Sequence, residues 1–268
     1  MPEAFDFFGG IDFSGAREPL SNLWSAVAEE RNGRLCVLSI RPHAFRLDLA
    51  GYVSHGWRSE IADERARILW GVDFPFGLPL ELGQRLGAGT SWESVVAWVA
   101  DRPADEIRSS AAEAAKSLRR ADAGGPLAPL DLRLYKQTVE GIRWLQEVVE
   151  EGEVAVEPQA PREGAATTLI EVYPSGSAQE LGLPRRRAPS RPAEARARAA
   201  ALRTYLDFAD PDAEALAVTL EDAWDATIAC LTAFLCRDDV GQPYRVLDPP
   251  YEPVRCEGWI YRPPAALA

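Results

Sequence analysis

Four short segments, far apart in the chain, each carry acidic side chains in a setting that suits chemistry. They are GGIDFSG with Asp12, GVDFPFG with Asp73, IEVYPSG with Glu171, and EDAWDA with Asp222 and Asp225. A carboxylate beside an apolar core costs free energy, so several in similar settings indicate that they share a cation. Carboxylate oxygens suit Mg²⁺ or Mn²⁺, and two such ions held roughly 4 Å apart can promote phosphodiester cleavage.

The elements that must position these acids are strand ends and one helix. Asp12, Asp73 and Glu171 each lie at the end of an apolar run typical of a strand, just before Gly or Pro ends it. Asp222 and Asp225 are three residues apart in an apolar helical pattern, so both lie on one helix face. Strand ends and a helix face can gather such side chains into one site.

The remaining pattern predicts an α/β fold, because three strands, a helix and a strand are followed by alternating helices and strands. An Arg-Asn-Gly turn at 31–33 favours a hairpin between the second and third strands. The predicted strands are 7–13, 23–28, 34–40, 68–72, 153–157, 168–173 and 259–261. The predicted helices are 49–63, several within 92–120, 134–149, 193–208 and 211–236.

Composition limits the class of protein. With 268 residues, of which 47% are hydrophobic, the chain can bury a sizeable core. The N-terminal residues lack a secretory signal pattern and the apolar runs are too short to span a bilayer, so we expect a cytoplasmic protein without a membrane partner. The four cysteines include no CxxC pair and the chain has two histidines, which disfavours a zinc site.

The charge distribution is uneven. A net charge of −12 argues against a general coat protein for nucleic acid. The stretch 185–203 nevertheless holds seven arginines against Glu194, and Arg185, Arg186 and Arg187 are candidates for contacting nucleic-acid phosphates. A solvated, Arg-rich helix preceded by an exposed loop explains the same stretch equally well, so both interpretations stay open.

Six motifs, in chain order, carry a resemblance to known proteins. They are GIDFSGA (10–16), GVDFPFGLP (71–79), YKQTVEGIRWL (135–145), IEVYPSG (170–176), EDAWDA (221–226) and EGWIYRP (257–263). The order of acids resembles the RNase H-like superfamily, in which the first strand, a later parallel strand and a C-terminal helix each supply one. More closely, the chain resembles DUF429, a family of predicted nucleases of that fold.

The resemblance implies a fold, an activity and a set of site residues. The expected fold is a single RNase H-like domain over 1–268, with three antiparallel strands followed by parallel strands, flanking helices and a helical insertion at about 90–150. The expected activity is metal-dependent hydrolysis of DNA or RNA. Asp12 is expected to bridge two metal ions, Asp73 and Asp225 to complete the metal site, and Glu171 and Asp222 to assist as ligands or water-orienting groups.

Other interpretations of the same residues remain. A sharp turn at 12–16 could cradle a phosphate, which favours a nucleotide-dependent phosphotransferase of a related actin-like or sugar-kinase-like fold. The acids could instead be structural in a non-catalytic binding module, since an Asp after a strand often caps a turn. Glu171, in particular, could form a structural ion pair with one of the nearby arginines.

Overall fold

The computed structural model describes residues 4–14, 22–122, 125–151, 154–184, 188–241 and 253–264, and in these residues eight strands form one mixed sheet. The strands are β1 Phe7–Asp12, β2 Trp24–Arg31, β3 Arg34–Pro42, β4 Ile68–Asp73, β5 Val154–Glu157, β6 Thr167–Val172, β7 Leu206–Phe208 and β8 Ile260–Tyr261.

Sheet topology confirms the predicted mixture of strand directions. The order is β5-β6-β4-β1-β2-β3-β7, with β8 pairing to β6. The first three strands are antiparallel neighbours, whereas β4, β6, β5 and β8 extend the sheet in parallel from β1. The β2–β3 hairpin turns through Asn32 and Gly33, both at positive φ, as the Asn-Gly pair predicts.

Helices cover both faces of the sheet. The helices are α1 Arg46–Gly51, α2 Trp57–Ile61, α3 Leu80–Leu86, α4 Trp92–Ala100, α5 Ala104–Ala111, α6 Tyr135–Glu151, α7 Pro174–Glu180, α8 Pro192–Tyr205, α9 Pro211–Thr219, α10 Glu221–Leu235 and α11 Val254–Glu257. A π-helical turn, Tyr52–Gly56, joins α1 to α2. Within the described residues, none of these helices is both long and apolar enough to cross a membrane.

The two faces have separate apolar cores. On one face, Ile11 of β1 and Val72 of β4 pack with α6 and with the helices between 92 and 116. On the other face, Phe8 of β1 and Leu69 of β4 pack with α8, α9 and α10. Helices on both faces bury β1, β4 and β6, which is why their sequences show apolar runs without alternation.

Three local expectations about the chain differ from the structure. The predicted helix 193–208 ends at Tyr205, because Leu206–Phe208 pair with β3 as the edge strand β7. The predicted helix 211–236 is two helices, because Leu220 between them has an extended backbone. Helix α7, which begins at Pro174 within the third acidic motif, was not predicted.

Candidate metal centre

Strand register brings the first two acidic motifs together. Asp12 and Asp73 are the last residues of β1 and β4, which are parallel neighbours, and they are partners in the register of the two strands. Partners in adjacent parallel strands point to the same face of the sheet. The two carboxylates therefore lie side by side at one sheet edge, as their positions at strand ends predict.

Two glycines let helix α10 bring the third acid to the same place. Gly10 and Gly71 are register partners two residues before these acids. A Cβ at Gly10 would lie 2.0 Å from the Ala226 carbonyl oxygen, and one at Gly71 would lie 2.5 Å from that of Ala229. Only residues without a Cβ allow so close an approach. Helix α10 therefore lies directly on β1 and β4, with Asp225 next to the strand ends.

Asp12, Asp73 and Asp225 form what we call the acidic cluster. Each contributes a carboxylate oxygen, and these ligand atoms all lie within 4.8 Å of one another. Asp225 is 1% exposed and Asp12 is 6% exposed, while Asp73 is partly exposed. Like charges this close repel, and poor solvation strengthens the repulsion. A bound divalent cation would offset it, and an all-carboxylate donor set suits hard cations.

Glu171 lies outside the acidic cluster. It is the register partner of Val72, so its side chain points to the opposite face from Asp73. There its two carboxylate oxygens accept hydrogen bonds from Arg119 at 2.5 and 2.7 Å, and the backbone N–H of Phe76 donates another at 2.9 Å. Among the described residues Glu171 therefore forms a structural ion pair, but with Arg119, 52 residues away in sequence, and not with one of the nearby arginines.

Arg119 is the centre of a buried ionic network. Its guanidinium also binds Asp122, with Nη2 2.7 Å from Oδ1, and donates to the backbone oxygen of Glu257 at 2.9 Å. The side chain of Glu257 accepts a hydrogen bond from the Leu80 backbone at 2.7 Å. Burial alone would lower the pKa of Arg119, but Glu171 and Asp122 raise it above its ordinary value, so the guanidinium stays charged. We call Arg119, Asp122, Glu171 and Glu257 the Arg119 network.

The other predicted site residues are placed differently. Asp222 is partly buried one turn before Asp225, and the three-carboxylate group found in the described chain includes Asp225 but not Asp222. Arg185, Arg186 and Arg187 lie outside the described residues.

Residues that were not singled out as site candidates also contact this region. Gln137 on α6 donates a hydrogen bond from Nε2 to the backbone oxygen of Asp73 at 2.6 Å and so fixes the end of β4. Gln137 lies in the YKQTVEGIRWL motif and Glu257 in EGWIYRP, so the sequence signal for both was present. Arg119 and Asp122 lie in none of the six motifs.

A second grouping has residue types associated with nucleophilic catalysis. Ser25 Oγ lies 2.8 Å from His43 Nε2, and His43 Nδ1 lies 3.4 Å from Asp48. Ser25 and His43 are each 1% exposed, and burial lowers the pKa of His43 to about 4. A nucleophile must reach its substrate, so this buried grouping is a packing feature rather than a catalytic one.

The fold and the acidic cluster together define an α/β protein with a candidate carboxylate metal centre. Comparison with known families shows which family the chain belongs to. The model of a family described as "Protein of unknown function (DUF429)" matches residues 10–252, and the chain belongs to this family, as its motifs predicted. No curated protein and no solved structure matches the chain.

Proposed function

We propose that this protein is a divalent-metal-dependent hydrolase of phosphodiester bonds in nucleic acid. The observation that carries the proposal is the convergence of Asp12, Asp73 and Asp225 within 4.8 Å from two strands and a helix. Three acids from separate elements meet at one partly open edge of the sheet, where a substrate can approach. A carboxylate that only caps a turn does not require two further carboxylates beside it.

The chemistry of the donor set fits Mg²⁺ or Mn²⁺. The cluster offers oxygen ligands from carboxylates and no sulfur or nitrogen ligand. Within this proposal Asp12 is the shared ligand, the role that the resemblance to RNase H-like proteins implies, and its strand contacts both β4 and α10. When bound, divalent ions at such a site activate a water molecule and stabilise the leaving oxygen of a phosphodiester.

The distribution of the acids over the sheet and α10 supports a nuclease. The acids lie on the first strand of an antiparallel trio, on its parallel neighbour and on a late helix. This is the distribution that the resemblance to RNase H-like proteins implies. The phosphate-cradling turn that favours a phosphotransferase extends to Gly15 and Ala16, which lie outside the described residues. Catalytic roles for Asp222 and Glu171, and nucleic-acid contacts by Arg185, Arg186 and Arg187, remain predictions within this proposal.

The direct test is Asp12→Asn, assayed on labelled single- and double-stranded DNA and RNA with Mg²⁺ or Mn²⁺. We expect metal-dependent cleavage by the parent and a loss of orders of magnitude in Asp12→Asn, because the amide keeps the shape but removes the charge that the ligand supplies. Asp101→Asn, an exposed change at the end of α4, is the matched control and should cleave like the parent.

Two outcomes would contradict the proposal. One is Asp12→Asn protein that cleaves as fast as the parent. The other is cleavage by the parent that persists unchanged after the metal is removed with a chelator. Thermal unfolding checks that each variant is folded. This check is needed because Asp12 is 6% exposed and substitutions at buried positions often alter stability.

A further inference from the structure

A small cavity adjoins the acidic cluster. It has a volume of about 170 Å³, and Asp73 and Asp225 form part of its wall. Pockets for drug-sized ligands start at about 300 Å³, so this one suits a single ring system better than a base pair. Whatever part of a ligand enters it must be small and must lie next to the proposed metal site.

Most of the wall away from the carboxylates is apolar. The apolar lining residues include Phe74, Pro75, Leu127, Leu134, Val172 and Ile260. Phe74 and Pro75 are buried, whereas Leu127 and Leu134 are partly exposed at the opening. Such a lining suits a flat, weakly polar ring, as in the apolar and aromatic contacts that proteins make with unpaired nucleobases.

Polar groups at the rim can fix the orientation of such a ring. Tyr173 lines the cavity and is partly exposed. Its phenol hydroxyl can donate or accept a hydrogen bond. The exposed Ser175 adds a second hydroxyl. Both can contact the polar edge of a base or a sugar hydroxyl.

Charge decides where a phosphate can lie. Among the described residues that line the cavity, Arg119 is the one cation, and Glu171 and Asp122 already bind it. Asp73, Glu171 and Asp225 contribute negative charge to the same wall. A phosphate is therefore repelled unless a divalent cation lies between it and the acidic cluster.

We propose that the cavity binds the base of one unpaired nucleotide whose phosphate contacts metal at the acidic cluster. The inference rests on the proposed metal centre and adds the substrate class: a nucleoside phosphate with an unpaired base, either free or within a single strand. Double-stranded nucleic acid does not fit without extrusion of a base.

The experiment measures binding of nucleoside 5′-monophosphates by calorimetry, with and without Mn²⁺. Inorganic phosphate and the free nucleosides are comparators. We expect Mn²⁺-dependent binding of the monophosphate that is at least about tenfold tighter than that of phosphate, because the base adds contacts. Leu134→Trp fills the cavity and should weaken binding at least about tenfold. Leu132→Trp, at a position 66% exposed and outside the cavity, should bind like the parent.

Ser175→Phe is a second variant, because a change at this exposed position leaves the core intact. It should also weaken nucleotide binding, while Mn²⁺ still raises the midpoint of thermal unfolding in both variants. Nucleotide affinity equal to that of phosphate, or unchanged in both cavity variants, would overturn the inference.

Competition distinguishes the two sources of the nucleotide. A single-stranded oligonucleotide that displaces the monophosphate identifies a strand as the ligand, and displacement by free nucleotides alone identifies the monomer; either supports the cavity. A blunt duplex that competes as well as the single strand contradicts it. Binding without cleavage of any nucleic acid would support the cavity yet count against the proposed nuclease, so the two failures are distinguishable.

Discussion

The acidic cluster and the Arg119 network are two sets of carboxylates, buried except for the partly exposed Asp73, at the same end of the sheet. In the network, the side chains of Arg119 and Asp122 are 0% exposed, and one guanidinium binds two carboxylates. In the cluster, three carboxylates bring their oxygens within 4.8 Å of one another. The network pairs its carboxylates with a guanidinium, whereas the cluster brings three carboxylates together, an arrangement that suits a hard divalent cation.

The comparison shows that burial alone does not identify a functional acid. Glu171 and Asp225 are equally hidden, at 2% and 1% exposure. They differ in position: Glu171 binds the Arg119 guanidinium on one face of the sheet, whereas Asp225 lies on the other face with Asp12 and Asp73. The contacts of the network are those of a structural ion pair, and the cluster is the candidate site of chemistry.

The largest expected effect on stability is at Arg119. Arg119→Met leaves Glu171 and Asp122 buried without their shared cation, and we expect a loss of about 3–5 kcal/mol in the free energy of unfolding. Arg203→Met removes an ion pair in which Arg203 is 61% exposed, and it should cost at most about 1 kcal/mol. Urea denaturation measures both. Equal losses in the two variants would show that the buried network contributes no more to the free energy of unfolding than an exposed ion pair does.

The second prediction concerns the pH dependence of stability, and it separates the contribution of His43 from that of the two sets of carboxylates. Its folded pKa of about 4 lies below the value of about 6.5 in an unfolded chain, because burial disfavours the charged ring. The unfolded state therefore binds the proton first, and the fold loses stability as pH falls from 6.5 to 4, by up to about 3 kcal/mol. Above pH 6.5 the contribution is fully present.

His43→Gln should flatten this part of the pH profile, measured as the difference in unfolding free energy from the parent at each pH. A variant whose profile stays parallel to that of the parent would assign the acid-range loss elsewhere, to carboxylates of the cluster or the network. This control is needed before any loss at low pH is attributed to the acidic cluster.

The sequence predicted the strands that carry Asp12, Asp73 and Glu171, because each apolar run ends at Gly or Pro. It could not tell which way Glu171 points, since β6 is buried along its whole length and shows no alternation. Its partner Arg119 is 52 residues away in sequence and is brought near only by tertiary packing. Helical spacing left Asp222 and Asp225 equivalent.

Packing on the sheet decided between those two residues. Gly10 and Gly71 allow α10 to pack directly on β1 and β4, and this packing brings Asp225 to the strand ends. Strand β7 was missed for a similar reason, because Leu206–Phe208 continue a helical pattern and become a strand only by pairing with the edge of β3.

The central claim is that the cluster, and not the network, receives a cation. It is tested most directly by measuring Mn²⁺ binding to three proteins: the parent, Asp225→Asn and Glu171→Gln. Calorimetry at a temperature where all three proteins are folded gives the affinities. We predict that the parent binds Mn²⁺, that Asp225→Asn binds at least about tenfold more weakly, and that Glu171→Gln retains nearly the parent's affinity. No binding by the parent, or a loss in Glu171→Gln that matches or exceeds the loss in Asp225→Asn, would contradict the account.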